Sequence, residues 1–250
     1  MAGIVRIVSE SQLQGDDWLK PLLNQRTVGV WRYVLIIETN TNERITLYDE
    51  HLTNLLDLLS RLKPWKLQFS DVTFECDFPV VKRNFNYVSE IVTANCRRSS
   101  DFVEYMVIRC PRLKSLHDTS FNHLEAVTTG YWNRQALVDT LLLMIGAFKV
   151  NHHLTNFTSL SMEYDLKALL KTGLHSGMRT TFNEYNKTVK STLRRNQAGI
   201  ERCRSAVYQL FLIKRYRPAS VFRFIGIDVV RLIAKLVMAS WDADAKVWCR

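Results

Sequence analysis

Four residues able to bind a soft divalent metal, Cys96, Cys110, His117 and His123, follow one another at C-x13-C-x6-H-x5-H. Zinc sites place at least one pair of ligands two to four residues apart, because a short turn must bring both onto one ion. The first pair lacks that close spacing, and Cys110 ends an apparent strand where burial is the expectation, so no metal is expected. His152 and His153 are adjacent, and adjacent side chains point in different directions. Thr172–Gly177 carries two glycines without the following Gly-Lys-Ser/Thr of a phosphate loop, and G-x-S-x-G, H-E-x-x-H and G-x-G-x-x-G are all absent. Leu55–Leu59 (LLDLL) has coactivator-helix spacing, but leucines at these intervals are the ordinary inner face of a helix. No cofactor is expected.

One pair of motifs has catalytic form. His51-Leu52-Thr53 and His153-Leu154-Thr155 are two copies of H-x-T. The pair resembles the signature of the 2H phosphoesterases, in which two histidines serve as acid and base and the hydroxyls hold phosphate. The resemblance implies that both motifs lie on facing strands. His51 falls instead in a leucine-rich helical pattern, which departs from that arrangement.

Charge gives the stronger signal. Residues 1–125 hold 15 Lys+Arg against 16 Asp+Glu, a net of −1, whereas residues 126–250 hold 19 against 8, a net of +11. Between Lys167 and Lys235 there are 15 basic and 3 acidic residues, a net of +12. Clustered like charge repels itself unless a polyanion offsets it. At 100° per residue, Phe182, Tyr185, Val189, Leu193, Ile200, Cys203, Val207 and Phe211 share one line of a helix. Lys187, Lys190, Arg194, Arg195 and Arg202 project from the other side. Downstream, Lys214, Arg215, Arg217 and Arg223 alternate with Tyr216, Phe222 and Phe224. Cations neutralise phosphates, and neighbouring aromatics stack on unpaired bases. The residues expected at a nucleic-acid interface are therefore Lys187, Lys190, Arg194, Arg195, Arg202, Lys214, Arg215, Tyr216, Arg217 and Arg223.

The elements that must carry these side chains follow from periodicity. Residues 28–38 and 44–48 are rich in β-branched and aromatic residues and flank a Thr-Asn-Thr-Asn turn, which predicts a hairpin. Leucines from 52 to 62 predict a helix that Pro64 ends. Alternation from Trp65 to Phe69 slips phase at Ser70-Asp71 and resumes from Val72, requiring a turn or bulge. Strands are also predicted over 88–93 and 102–109. From about Tyr131 the pattern is helical: a helix apolar on nearly all sides over 134–149, another over 162–172, the long basic one over 182–217 with a possible break at Gly199, and a last over 221–239. The expected fold is α+β, with an N-terminal mixed sheet bearing one or two helices and a mainly helical C-terminal half. Residues 1–125 would be a scaffold or assembly region and 126–250 the basic helical region, either separately or as one continuous domain. No repeat of 20 to 50 residues is visible, which argues against a solenoid.

Apolar residues at 47% and charged residues at 23% indicate a globular chain. Five scattered cysteines do not make a disulfide framework. The N-terminus lacks an apolar signal core, and charges interrupt the apolar stretches 137–150 and 221–239. The expected location is the cytoplasm or nucleus, neither secreted nor transmembrane. In size, charge and build the chain resembles the small basic nucleocapsid, matrix or accessory proteins of RNA viruses. The leading expectation is a non-enzymatic RNA-binding protein, with homo-oligomers along the ligand. A matrix-type protein holding an anionic membrane surface with the same face is the alternative, and a 2H-like phosphoesterase the second.

Overall fold

The computed structural model describes residues 2–14, 32–39, 44–76, 78, 84–120, 134–160, 176–216 and 225–243. Eight strands and five α-helices alternate along them. They run β1 (Ala2–Ile7), β2 (Arg32–Glu38), β3 (Ile45–Tyr48), α1 (Asp49–Leu62), β4 (Lys66–Ser70), β5 (Val72–Glu75), β6 (Glu90–Ala94), α2 (Ser99–Arg109), β7 (Ser115–Asp118), α3 (Arg134–Val150), β8 (Asn156–Ser159), α4 (Ser176–Tyr216) and α5 (Ile227–Ala243). The fold is α+β.

Every pairing among these strands is parallel. Six strands form one sheet in the order β1-β2-β4-β6-β7-β8, so each new strand is added beside the last. The strands set aside, β3 and β5, form a second parallel pair, which Arg97 extends by a bridge to Thr73. The chain thus advances as a coil, the organisation of a short solenoid. This overturns the expectation from missing periodicity. Strand starts at residues 2, 32, 66, 90, 115 and 156 are unevenly spaced, so a repeating backbone is written in a non-repeating sequence.

The predicted hairpin over 28–48 does not form: β2 pairs with β1 and β4, and β3 pairs with β5. The phase slip at Ser70-Asp71 is a corner. Asp71 and Asn95 take positive φ (57° and 52°) at equivalent points of successive turns of the coil, a conformation that Asn and Asp tolerate better than most residues. The corners stack, because the Asn95 amide donates to the Asp71 carboxylate and Asp71 N donates to Ala94 O (3.1 Å). Arg44, in the preceding turn, holds the Asn95 corner, donating to Asn95 O (2.6 Å) and Asn95 Oδ1 (2.9 Å).

One face of the large sheet is apolar and buried: Val5 and Ile7, Leu35 and Ile37, Leu67 and Phe69, then Ile91 and Leu116. Leu52, Leu55, Leu58, Leu59 and Leu62 of α1 join the same core, which consumes the LLDLL spacing. Residues 102–109, expected as a strand, are helical. A parallel β6-to-β7 connection needs a crossover, and Phe102 of α2 packs on Phe69 (4.7 Å between centroids) and Phe74 (4.8 Å). Helix α3 is not apolar-buried all round as expected, since Leu142, Leu143 and Val150 face outward. It is an outer-layer helix. The opposite sheet face is half-buried to exposed apart from Ile36, and its charges pair with one another: Lys66 with Glu90 (2.6 Å), Arg6 with Glu38 (3.5 Å).

Toward the last strands the inner row turns polar. Asp118, fully buried, accepts from Thr93 Oγ1 (2.6 Å), Ser159 Oγ (2.9 Å), Ser120 N (3.1 Å) and Ser99 Oγ (3.4 Å), joining β6, β7, β8 and the start of α2. The sheet and its core continue across residue 125, through β8, α3 and Tyr185 of α4. Among the described residues no helix is long and apolar enough to cross a membrane. The helix expected over 162–172 lies outside them.

Candidate nucleic-acid interface

Helix α4 runs 41 residues without a break at Gly199, since no proline interrupts it before Pro218. Nine of its residues are basic and two are acidic, Glu184 and Glu201. Such a helix has to be anchored by the face that carries neither.

The anchor is part apolar and part polar. Tyr185, Thr188, Thr192 and Asn196 are the buried residues of its first half, a line about 60° around from the centre of the predicted apolar line. Of the predicted apolar line, Tyr185 is in the core and Phe182, Val189 and Leu193 pack half-buried against it, while Ile200, Cys203, Val207 and Phe211 are half-buried farther along. The reason for the polar part lies in α3, whose last carbonyls have no partner within their own helix. Thr192 Oγ1 donates to Phe148 O (3.1 Å), and Arg195 donates to Lys149 O (3.0 Å) and Asn151 O (2.6 Å). Asn196 Nδ2 donates to Asn151 O (3.1 Å) and Leu154 O (2.8 Å), and Gln197 to Thr155 O (3.1 Å). A guanidinium at the negative end of a helix is favourable in itself. Arg195, expected on the ligand-facing surface, is committed to closing α3.

Lys187, Lys190 and Arg194 lie on the opposite side of α4, and Arg202 on its flank; all four are exposed. The helix's own acids are taken elsewhere: Glu184 pairs with Lys149 (3.1 Å) and Glu201 with Arg204 (2.8 Å). Among the described residues none of the four cations has an ion-pair partner. From Lys187 to Arg202 the stripe covers about 22 Å of helix axis. Arg215 is also exposed, with its guanidinium 5.2 Å from the Tyr216 ring centroid. Lys214 is half-buried and donates to Ile225 O, at the approach to α5. Arg217 and Arg223 lie outside the described residues.

Tyr208, which the sequence reading missed, belongs with these residues. It is 63% exposed, and Tyr216 is 64% exposed. Tyr208 follows Lys190 by eighteen residues, about five whole turns, so both lie on one line. The same 100° arithmetic applied to aromatics as well as cations finds it.

The other candidates are dispersed. Cys96 and Cys110 are buried, His117 is exposed on the outer sheet face, and His123 lies outside the described residues. Burial pushes the Cys96 thiol up to about 11 and the Cys110 thiol higher still, which suits protonated core thiols rather than ligands. Among the described residues no three His, Cys, Asp or Glu come together as a metal site. His51 is buried in α1, its Nδ1 donating to Thr46 O (3.2 Å) while Gln14 donates to its Nε2 (3.3 Å). Thr53 Oγ1 donates to Asp49 O and Thr155 Oγ1 to Lys114 O. His51 precedes β4 and His153 precedes β8, three strands away, one on a helix and the other in a loop. No facing-strand pair of H-x-T motifs is formed.

Known protein families, curated proteins and solved structures include no match to this chain.

Proposed function

We propose that this is a non-enzymatic nucleic-acid-binding protein that holds single-stranded RNA along α4. The observation that carries the reading is the set of exposed cations without ion-pair partners among the described residues, Lys187, Lys190, Arg194 and Arg202, on a helix whose two acids are engaged elsewhere. Lys187 with Lys190, and Lys190 with Arg194, are like-charge pairs at i,i+3 and i,i+4. Each costs the helix about 0.2–0.5 kcal/mol. A polyanion removes that cost and gains from counterion release. Tyr208 and Tyr216 favour a single strand, because a duplex offers no open base faces to stack on. The coil of strands and α1–α3 would serve as the rigid support that holds α4.

Fluorescence anisotropy with a labelled single-stranded RNA tests this. If the four cations each neutralise one phosphate, the logarithm of the association constant should fall with the logarithm of salt at a slope of about −3. Lys190→Glu with Arg194→Glu should abolish binding at physiological salt. Equal binding by that double variant and the parent would remove the proposal.

A further inference from the structure

Helix α5 is apolar on two sides and, among the described residues, uses one of them within the chain. Val230 and Ala234 are buried and Ile233 and Val237 half-buried, on the side where α5 packs against α4. Val229, Leu232 and Leu236 form a second line about 120° around the helix, and they are 48%, 55% and 60% exposed. The spacing i, i+3, i+7 is that of a helix–helix seam. A helix with apolar residues over this much of its circumference is built to sit between two layers, and among the described residues one is present.

Charge selects the second layer. Residues 167–235 carry a net of +12, yet α5 itself holds Asp228, Arg231, Lys235 and Asp242, a net of zero. Arg231 is tied to Asp228 (3.3 Å). Helices that lie on membrane surfaces carry an excess of Lys and Arg on the polar side, and α5 does not. Two copies of so basic a region repel each other wherever α4 faces α4. The neutral, apolar stripe on α5 is where they can approach without that cost.

We propose that two copies of this chain associate through α5, with Leu232 at the centre of a two-fold contact flanked by Val229 and Leu236. A two-fold interface is self-complementary, so one stripe suffices for both partners. The association needs no nucleic acid and stands apart from the function proposed for α4. When RNA is present, two cationic stripes in one particle raise the effective concentration of each for the same strand.

Sedimentation equilibrium of the full chain, after nuclease treatment and a high-salt wash, tests the contact. The parent should show a reversible dimer. Leu232→Glu with Leu236→Glu should give the monomer mass at every loading concentration while circular dichroism stays unchanged, because neither side chain is buried. Lys190→Glu with Arg194→Glu should leave the dimer intact while losing RNA, which separates this proposal from the previous one. A monomeric parent, or a dimer indifferent to the two glutamates, overturns it. So does a monomer that cosediments with phosphatidylcholine vesicles only when Leu232 and Leu236 are present, since the stripe then belongs to a bilayer.

Discussion

Arg194 and Arg195 are adjacent, and α4 turns them to different tasks. Arg195 donates to two carbonyls at the end of α3, whereas Arg194 faces outward. Arg195→Ala should therefore cost about 2 kcal/mol of stability with little change in the salt slope of RNA binding, and Arg194→Ala should reduce that slope by about 0.7 at unchanged stability. Chemical denaturation and binding isotherms on both variants check the split. Helical angle alone finds the outward cations. It does not find the role of Arg195, because the carbonyls it meets are 44 to 46 residues away in sequence. At Asp118 the burden is heavier. Asp118→Ala strands four buried donors and should cost about 3–5 kcal/mol, seen as a lower denaturation midpoint. Cys96, whose thiol is raised by burial from 9.0 to about 11, stays protonated in the folded chain where the unfolded chain ionises. Its contribution is complete below pH 9 and is lost as pH rises from 9 toward about 11. Cys96→Ser should flatten that stretch of the alkaline stability profile.

Among the elements, those with one dry face were legible and those with two were not. Helix α1 and strands β4 and β5 appear where their patterns place them, because leucines at helical spacing and strict alternation each fit only one geometry. Residues 102–109 contain Phe, Val, Tyr, Met, Val and Ile in near succession and are mostly buried, so their sequence shows no period. What decides for a helix there is the parallel neighbour on each side of the crossover, a fact of topology. Strands β7 and β8 have four residues each and end in Asp118 and Ser159, polar residues that a strand search penalises. The corner at Asn95 offers an element-level test. Asn95→Val places a β-branched residue at φ 52° and removes the amide that meets Asp71, which should cost about 1–3 kcal/mol. Asn95→Gly keeps the backbone at ease and should cost less. Thermal melts of the two, compared with the parent, decide it.

At the scale of the whole molecule the α+β composition was visible in the sequence and the coil was not. A solenoid needs a repeated path, and turns of unequal length with different fillings trace one without repeating a residue pattern. Among the described residues the path ends at β8, and α4 is tied to the approach to it: Asn196 and Gln197 hold Leu154 O and Thr155 O, immediately before β8. The outer side of a terminal strand offers unpaired amides and carbonyls to any similar strand it meets. Cutting the chain ahead of Ser176 would accordingly do more than delete cations; it would leave a sticky rim, and the shortened product should precipitate or grow fibres. Deletion genetics on this protein would then confuse a folding lesion with a lost ligand. Single-residue changes on the outer side of the same helix are the only clean way to tell the two apart.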